Sequence, residues 1–202
     1  MVVGTILAPN EVRVLRALLR VDTPLTGRAV ARVTGLTQST AQRALTRLRE
    51  VGLVLAESAP PSLLYRANPD HLAMPAMISL LGLDDELRAR VADGVAAWPL
   101  QPASLVVYGS VARKETTSAS DLDVLVVRPD ATEPDDATWQ GQVADLADRL
   151  RRWTGRRTSL IDMSQHELVQ GLADREPFLV AANRDGWLIA GRPLGELLGR
   201  KS

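Results

Sequence analysis

Two short groups in the second half of the chain combine residue types and spacing that can do chemistry. Gly109-Ser110 is followed, after a ten-residue spacer, by Asp121-x-Asp123. Side chains on a strand alternate faces, so carboxylates at i and i+2 project the same way, about 6 to 7 Å apart at the backbone. Two such carboxylates repel unless a cation lies between them. A hard divalent ion, Mg2+ or Mn2+, suits that role, held by one or two carboxylates with substrate phosphate oxygens completing its shell. Gly109 lets the backbone approach a ligand closely, the Ser110 hydroxyl can donate to phosphate, and free N–H groups of a following helical turn attract anions. Arg113 and Lys114 add positive charge within reach. Together these residues suit the binding of a metal-bound phosphate compound.

The elements that must position them can be read along the chain. Ser104-Leu105-Val106-Val107-Tyr108 is a short apolar, β-branched run and reads as a strand ending in the Gly-Ser turn; Asp121 to Val127 reads as a second strand. An amphipathic helix through Trp139, Val143, Leu146, Ala147 and Leu150 leads to a third strand, Arg157 to Asp162. Helices over Gln165 to Ala173 and Glu176 to Asn183 follow, and then an edge strand into Gly191. His71 and His166 have no second ligand at metal spacing and read as surface or capping residues. Trp98, Trp139, Trp153 and Trp187 occupy apolar positions and are expected in the core.

The first third of the chain has a different pattern. Asn10 is a candidate N-cap for a helix over Glu11 to Arg20, and Thr26 for a second helix with Ala29, Val30 and Val33 inward. Gly35 supplies a left-handed stop, and Thr37 caps a third helix reaching about Val51. On that helix Ala41, Ala44, Leu45 and Leu48 form the buried stripe, which leaves Gln38, Ser39, Thr40, Gln42, Arg43 and Arg47 free to reach phosphates and base edges. Leu53 to Leu55 and Leu63 to Arg66 read as two strands joined by a loop over Glu57 to Ser62. Pro69 to Trp98 carries two connector helices broken at Gly82, and Trp98 to Pro102 cannot continue a helix.

Composition bounds the function classes. The 202 residues are 46% hydrophobic and contain no cysteine, which excludes a disulfide framework, a thiolate nucleophile and Cys-ligated zinc. No apolar run approaches the roughly 18 residues of a membrane span, and the amino terminus does not read as a signal peptide, so a cytoplasmic protein without membrane contact is expected. Formal net charge is zero, yet Met1 to Arg66 carries nine Arg against four acidic residues, net +5, balanced by −5 beyond it. That asymmetry suits a basic module for double-stranded DNA attached to an acidic module.

Two stretches resemble known families. PLTGRAVARVTGLTQSTAQRALTRLREVGLV resembles the winged helix-turn-helix of bacterial transcriptional regulators, and LVVYGSVARKETTSASDLDVLVV resembles the nucleotidyltransferase fold, in particular its minimal bacterial and archaeal members. The resemblance implies an α/β (α+β) protein: a winged helix-turn-helix over 1–68, a helical connector over 69–102, and a nucleotidyltransferase domain with a mixed sheet flanked by helices over 103–202. It also implies transfer of a nucleotidyl group from a nucleoside triphosphate to an acceptor hydroxyl, with metal on Asp121 and Asp123 and phosphates on Gly109, Ser110, Arg113 and Lys114. Members of the family carry a third acid, which in this chain would fall at Ser159; Asp162 is the only carboxylate on that strand and reaches the site only through a bulge, or else caps the next helix. A regulator that binds nucleotide as an effector, and a toxin–antitoxin component, are the alternative functions. Winged helices of this kind commonly bind two-fold DNA sites as dimers, so a homodimer through the connector helices is expected.

Overall fold

The helices of the first third are set by their caps. In the computed structural model, which describes residues 7–112 and 121–198, α1 (Pro9–Leu19) begins with proline at its first position, where a missing N–H costs nothing. The Glu11 carboxylate accepts the Ala8 N–H at 2.8 Å, so the helix is capped at Ala8 and not at Asn10. β1 (Leu25–Thr26) leads into α2 (Gly27–Thr34), where Thr26 Oγ1 accepts the Ala29 N–H at 3.2 Å and Gly35 closes the helix at φ +67°. Thr37 accepts the Thr40 N–H at 3.2 Å and opens α3 (Gln38–Glu50), which buries Ala41, Ala44, Leu45 and Leu48 as expected. On α2 the inward set is Val30, Ala31 and Thr34, while Val33 is 57% exposed. Thr34 tolerates burial because its hydroxyl donates to the Val30 carbonyl at 2.7 Å.

The hairpin is longer than its composition implies. β2 (Val54–Ala59) and β3 (Ser62–Ala67) pair throughout, including Glu57 with Leu64 and Ala59 with Ser62, so only Pro60 and Pro61 lie between the strands. β1 pairs with β3 to complete a three-stranded antiparallel sheet of order β1-β3-β2. Leu15, Leu45, Leu48 and Tyr65 form the core beneath it, joined by Met74 and Met77 of α4 (Met74–Leu81).

The chain divides into two units between Asp84 and Asp85, inside the stretch read as a connector. α4 adds its methionines to the first core, whereas Val91 and Val95 of α5 (Leu83–Ala96) join the second.

The second unit is a four-stranded mixed sheet of order β6-β5-β4-β7. β4 (Ser104–Tyr108) is antiparallel to β5 (Leu122–Arg128) and to the edge strand β7 (Trp187–Gly191), while β5 runs parallel to β6 (Thr158–Ser164) across α7 (Ala137–Thr154). Even-numbered β5 residues, Leu122, Val124 and Val126, pack toward α5 and α7. Leu125 and Val127 pack toward α8 (Gln165–Ala173), α9 (Pro177–Asp185) and α10 (Leu194–Leu197). With both faces covered, all five β4 residues are buried, which explains the apolar run Leu105 to Val107. Trp139 is wholly buried, with Trp98 edge-on at 5.9 Å; Trp153, expected in the core, is 37% exposed.

Candidate active site and nucleic-acid interface

Strand register brings the end of β4 and the starts of β5 and β6 together. Tyr108 lies opposite Asp123, and Ser159 lies beside Asp123 on the parallel neighbour. The backbone leaves β4 through Gly109 at φ +75° and enters the short helix α6 (Gly109–Ala112), whose second residue is Ser110. A Cβ at Gly109 would collide with Asp123 Oδ2. Glycine is favoured here by its backbone angle, and any side chain would in addition force the Asp123 carboxylate to move. Asp123 is half-buried on β5, whereas Asp121 is exposed and lies one residue before the strand, which begins at Leu122 and not at Asp121 as expected. Arg113 and Lys114 lie outside the described residues.

The electrostatics of Tyr108 agree with this geometry. Burial pushes its phenol above the ordinary tyrosine pKa, and the nearby Asp123 carboxylate pushes it further. Tyr108 thus remains a neutral hydroxyl at physiological pH.

Asp162 has a different role from the one expected. The β5–β6 register runs unbroken from Leu122 beside Thr158 to Arg128 beside Ser164, so no bulge turns Asp162 toward Asp123. It pairs with Val126 on the α7 face, where its Oδ2 accepts from Arg128 Nη1 at 2.8 Å and Trp139 Nε1 at 3.1 Å. The arrangement neutralises a guanidinium that is itself only 7% exposed. Asp162 does not cap the next helix either. Ser164 Oγ accepts the Glu167 N–H at 3.1 Å, and the Glu167 carboxylate accepts the Ser164 N–H at 2.7 Å. The Ser164 N–H, and the Ser164 hydroxyl donating to the same carboxylate at 2.9 Å, hold the Glu167 carboxyl below its usual pKa.

On α3 the expected DNA-facing residues share one outer surface: Gln38, Ser39, Gln42, Arg43 and Arg47 are exposed and Thr40 half-buried. They are not equally placed. Thr40 accepts from the Thr37 hydroxyl at 2.9 Å, Gln42 Nε2 donates to Tyr65 Oη at 3.1 Å, and Arg47 Nε pairs with Glu11 at 3.0 Å. Arg43 reaches Thr40 Oγ1 at 3.5 Å.

Comparison with known proteins agrees with both halves. Residues 7–61 match the model of the MarR family and residues 90–163 that of the nucleotidyltransferase domain. The chain joins a MarR-family winged helix to a nucleotidyltransferase domain. Among solved structures it is similar to a toxin–antitoxin protein with AMP-PNP, at 15% identity over 55% of this chain and 80% of that one, TM-score 0.37. It is also similar to the homodimeric winged helix-turn-helix domain Mb0332 of Mycobacterium bovis, at 25% identity over 43% and 79%, TM-score 0.36. A third similarity is to human N-acetylserotonin methyltransferase with SAM, at 22% identity over 32% of this chain, TM-score 0.29. The chain spans only 18% of the length of that methyltransferase. No curated protein matches it. Among the described residues no helix is long and apolar enough to cross a membrane.

Sequence reading missed two features of the nucleotidyltransferase domain. Trp187 Nε1 donates to the Ala112 carbonyl at 3.0 Å and so fixes the far end of the helical turn that carries Ser110. Arg88 stacks over the Trp187 ring at 3.9 Å. Neither residue has a local signal, because their partners lie far along the chain.

Nucleotidyltransferase domains generally use divalent metal ions. Among the described residues no group of three or more acidic or histidine side chains is assembled to bind one. Asp121 and Asp123 nevertheless fit a hard cation that takes one or two carboxylates and completes its shell from phosphate and water. The glycine cradle that receives Asp123 Oδ2 leaves that carboxylate beside the Gly-Ser turn, where a triphosphate would need it.

Proposed function

We propose that the protein transfers a nucleotidyl group from a nucleoside triphosphate to an acceptor hydroxyl, and that its winged helix binds the enzyme to double-stranded DNA. The observation that most supports the transfer reading is the seating of Asp123 against Gly109, with the exposed Asp121 two residues away in the chain. Asp121 and Asp123 would hold Mg2+ or Mn2+, which when bound supplies charge neutralisation at the phosphates and a lowered pKa at the attacking hydroxyl. Ser110 would orient the phosphates through its hydroxyl, with Arg113 and Lys114 contributing positive charge. Tyr108, neutral behind Asp123, would keep a second negative charge out of the site.

The test is incubation with Mg2+ or Mn2+ and each α-labelled nucleoside triphosphate, with cell lysate as acceptor pool, beside an Asp121→Ala/Asp123→Ala control. Label transferred only by the unaltered protein is the expected result; none transferred with any triphosphate contradicts the reading. One observation favours a second reading, in which the domain binds nucleotide as an effector. Ser159, a hydroxyl, stands beside Asp123 where the family resemblance places a third acid, and Asp162 is engaged elsewhere. Triphosphate binding that depends on Asp121 and Asp123 without any transfer would select it.

For the winged helix, the exposed α3 surface and the net +5 of its segment support contact with duplex DNA through Gln38, Ser39, Thr40, Gln42, Arg43 and Arg47. Recognition of a two-fold site by this domain would make the protein a homodimer, which light scattering of the full chain would register as twice the monomer mass.

A further inference from the structure

Glu11 is the most buried acidic side chain of the first unit's described residues, and neither the proposed chemistry nor the expected DNA face uses it. The residue is 5% exposed, and both carboxylate oxygens are engaged. Oε2 accepts the Ala8 N–H at 2.8 Å and Oε1 pairs with Arg47 Nε at 3.0 Å. One buried carboxylate therefore ties the start of α1 to the outer face of α3. Arg47 is held on its inner side through Nε, yet its side chain remains 69% exposed. A long, rotamer-rich side chain is thereby restrained before any ligand arrives, which lowers the ordering cost of the contact it then makes.

We propose that Glu11 is a positioning residue for DNA binding, acting through Arg47; the inference rests on the reading of α3 as the DNA-facing helix. Because Glu11 is buried behind the arginine, it orients the guanidinium while presenting little negative charge to an approaching phosphate. Gln42, tied to Tyr65, is restrained in the same way from the hairpin side, whereas Arg43 has no partner of comparable burial among the described residues. Arg47 is thus the pre-set cation of the helix.

The test measures binding of a fluorescein-labelled, mixed-sequence 24-base-pair duplex by anisotropy across a salt series, using the full chain with Glu11→Gln, Arg47→Ala, Arg43→Ala and the Glu11→Gln/Arg47→Ala double variant. Glutamine retains an acceptor for the Ala8 N–H, and thermal melting of each variant checks the fold; Glu11→Asp, which keeps the charge but draws it away from Arg47, serves as a second probe. Arg47→Ala should flatten the salt dependence by about one unit of slope. Glu11→Gln and Glu11→Asp should each weaken binding several-fold, and Glu11→Gln should add nothing once Arg47 is alanine. Unchanged or tighter binding by the Glu11 variants, or an equal loss in the Arg47→Ala background, would overturn the assignment. If Arg43→Ala and Arg47→Ala both leave binding unchanged, the reading of α3 itself fails, an outcome distinct from a loss confined to the arginine variants.

Discussion

Asp123 and Asp162 sit on adjacent parallel strands only three register positions apart, and their surroundings give them opposite roles. Asp123, on the α8–α9 side of the sheet, presses its carboxylate against a glycine that has no side chain. Asp162, on the α7 side, is tied to a buried arginine and a buried tryptophan. The first environment sets the carboxylate against a turn that carries no side chain at Gly109. The second uses the charge to solve a burial problem. A carboxylate in a strand therefore cannot be assigned a role from its residue type; the deciding factor is which face it projects from and what meets it there.

The comparison can be broken from either side. The largest expected effect is at Gly109: Gly109→Val would push a side chain into Asp123 and force a β-branched residue to φ +75°, and triphosphate affinity should fall by about 100-fold. Titration with a fluorescent triphosphate analogue in Mg2+ would measure it. Next is Asp162→Ala, which leaves the Arg128 cation buried and unpaired and should cost about 3 to 5 kcal/mol by urea denaturation, with triphosphate affinity of the folded protein retained. Asp123→Ala should lose triphosphate binding while still folding, as circular dichroism would register. Trp139→Phe removes one hydrogen bond to Asp162 and should cost about 1 kcal/mol.

The smallest effect is at Tyr108. Its folded pKa is raised, so the stability it contributes is complete below the unfolded tyrosine pKa of about 10 and is lost as pH rises from there through the folded value. Tyr108→Phe should flatten stability in that alkaline window and leave it unchanged at pH 7, as measured by denaturation at pH 7 and above pH 10.

Signals in the sequence were strong wherever the physics was local. Thr26, Thr37 and Gly35 set helix ends through contacts within three or four residues, and each does so in the structure. The strand-turn-strand frame around Gly109 and Asp123 was legible in part, because the apolar runs flanking them mark β4 and β5, whose pairing sets Tyr108 opposite Asp123. What required tertiary packing was not legible. Val33 and Val30 are both apolar on the same short helix, and only packing against α1 and α3 selects Val30, Ala31 and Thr34 for the core. The two-residue strand β1 exists through its pairing with β3, some forty residues away. Asp162 looked available for chemistry until Arg128 and Trp139, 34 and 23 residues distant, were brought beside it. Glu11 reads as an ordinary first-turn acid, with nothing nearby to announce Arg47.

The most direct test of the account sets the two carboxylates against each other in one assay. Full-length protein carrying Asp123→Asn or Asp162→Asn is titrated with a non-hydrolysable triphosphate analogue in the presence and absence of Mg2+. The expected result is loss of the Mg2+-dependent binding in Asp123→Asn and its retention in Asp162→Asn, which should instead melt at a lower temperature. Retained Mg2+-dependent binding in Asp123→Asn, or its loss in a folded Asp162→Asn protein, would contradict the assignment of the site.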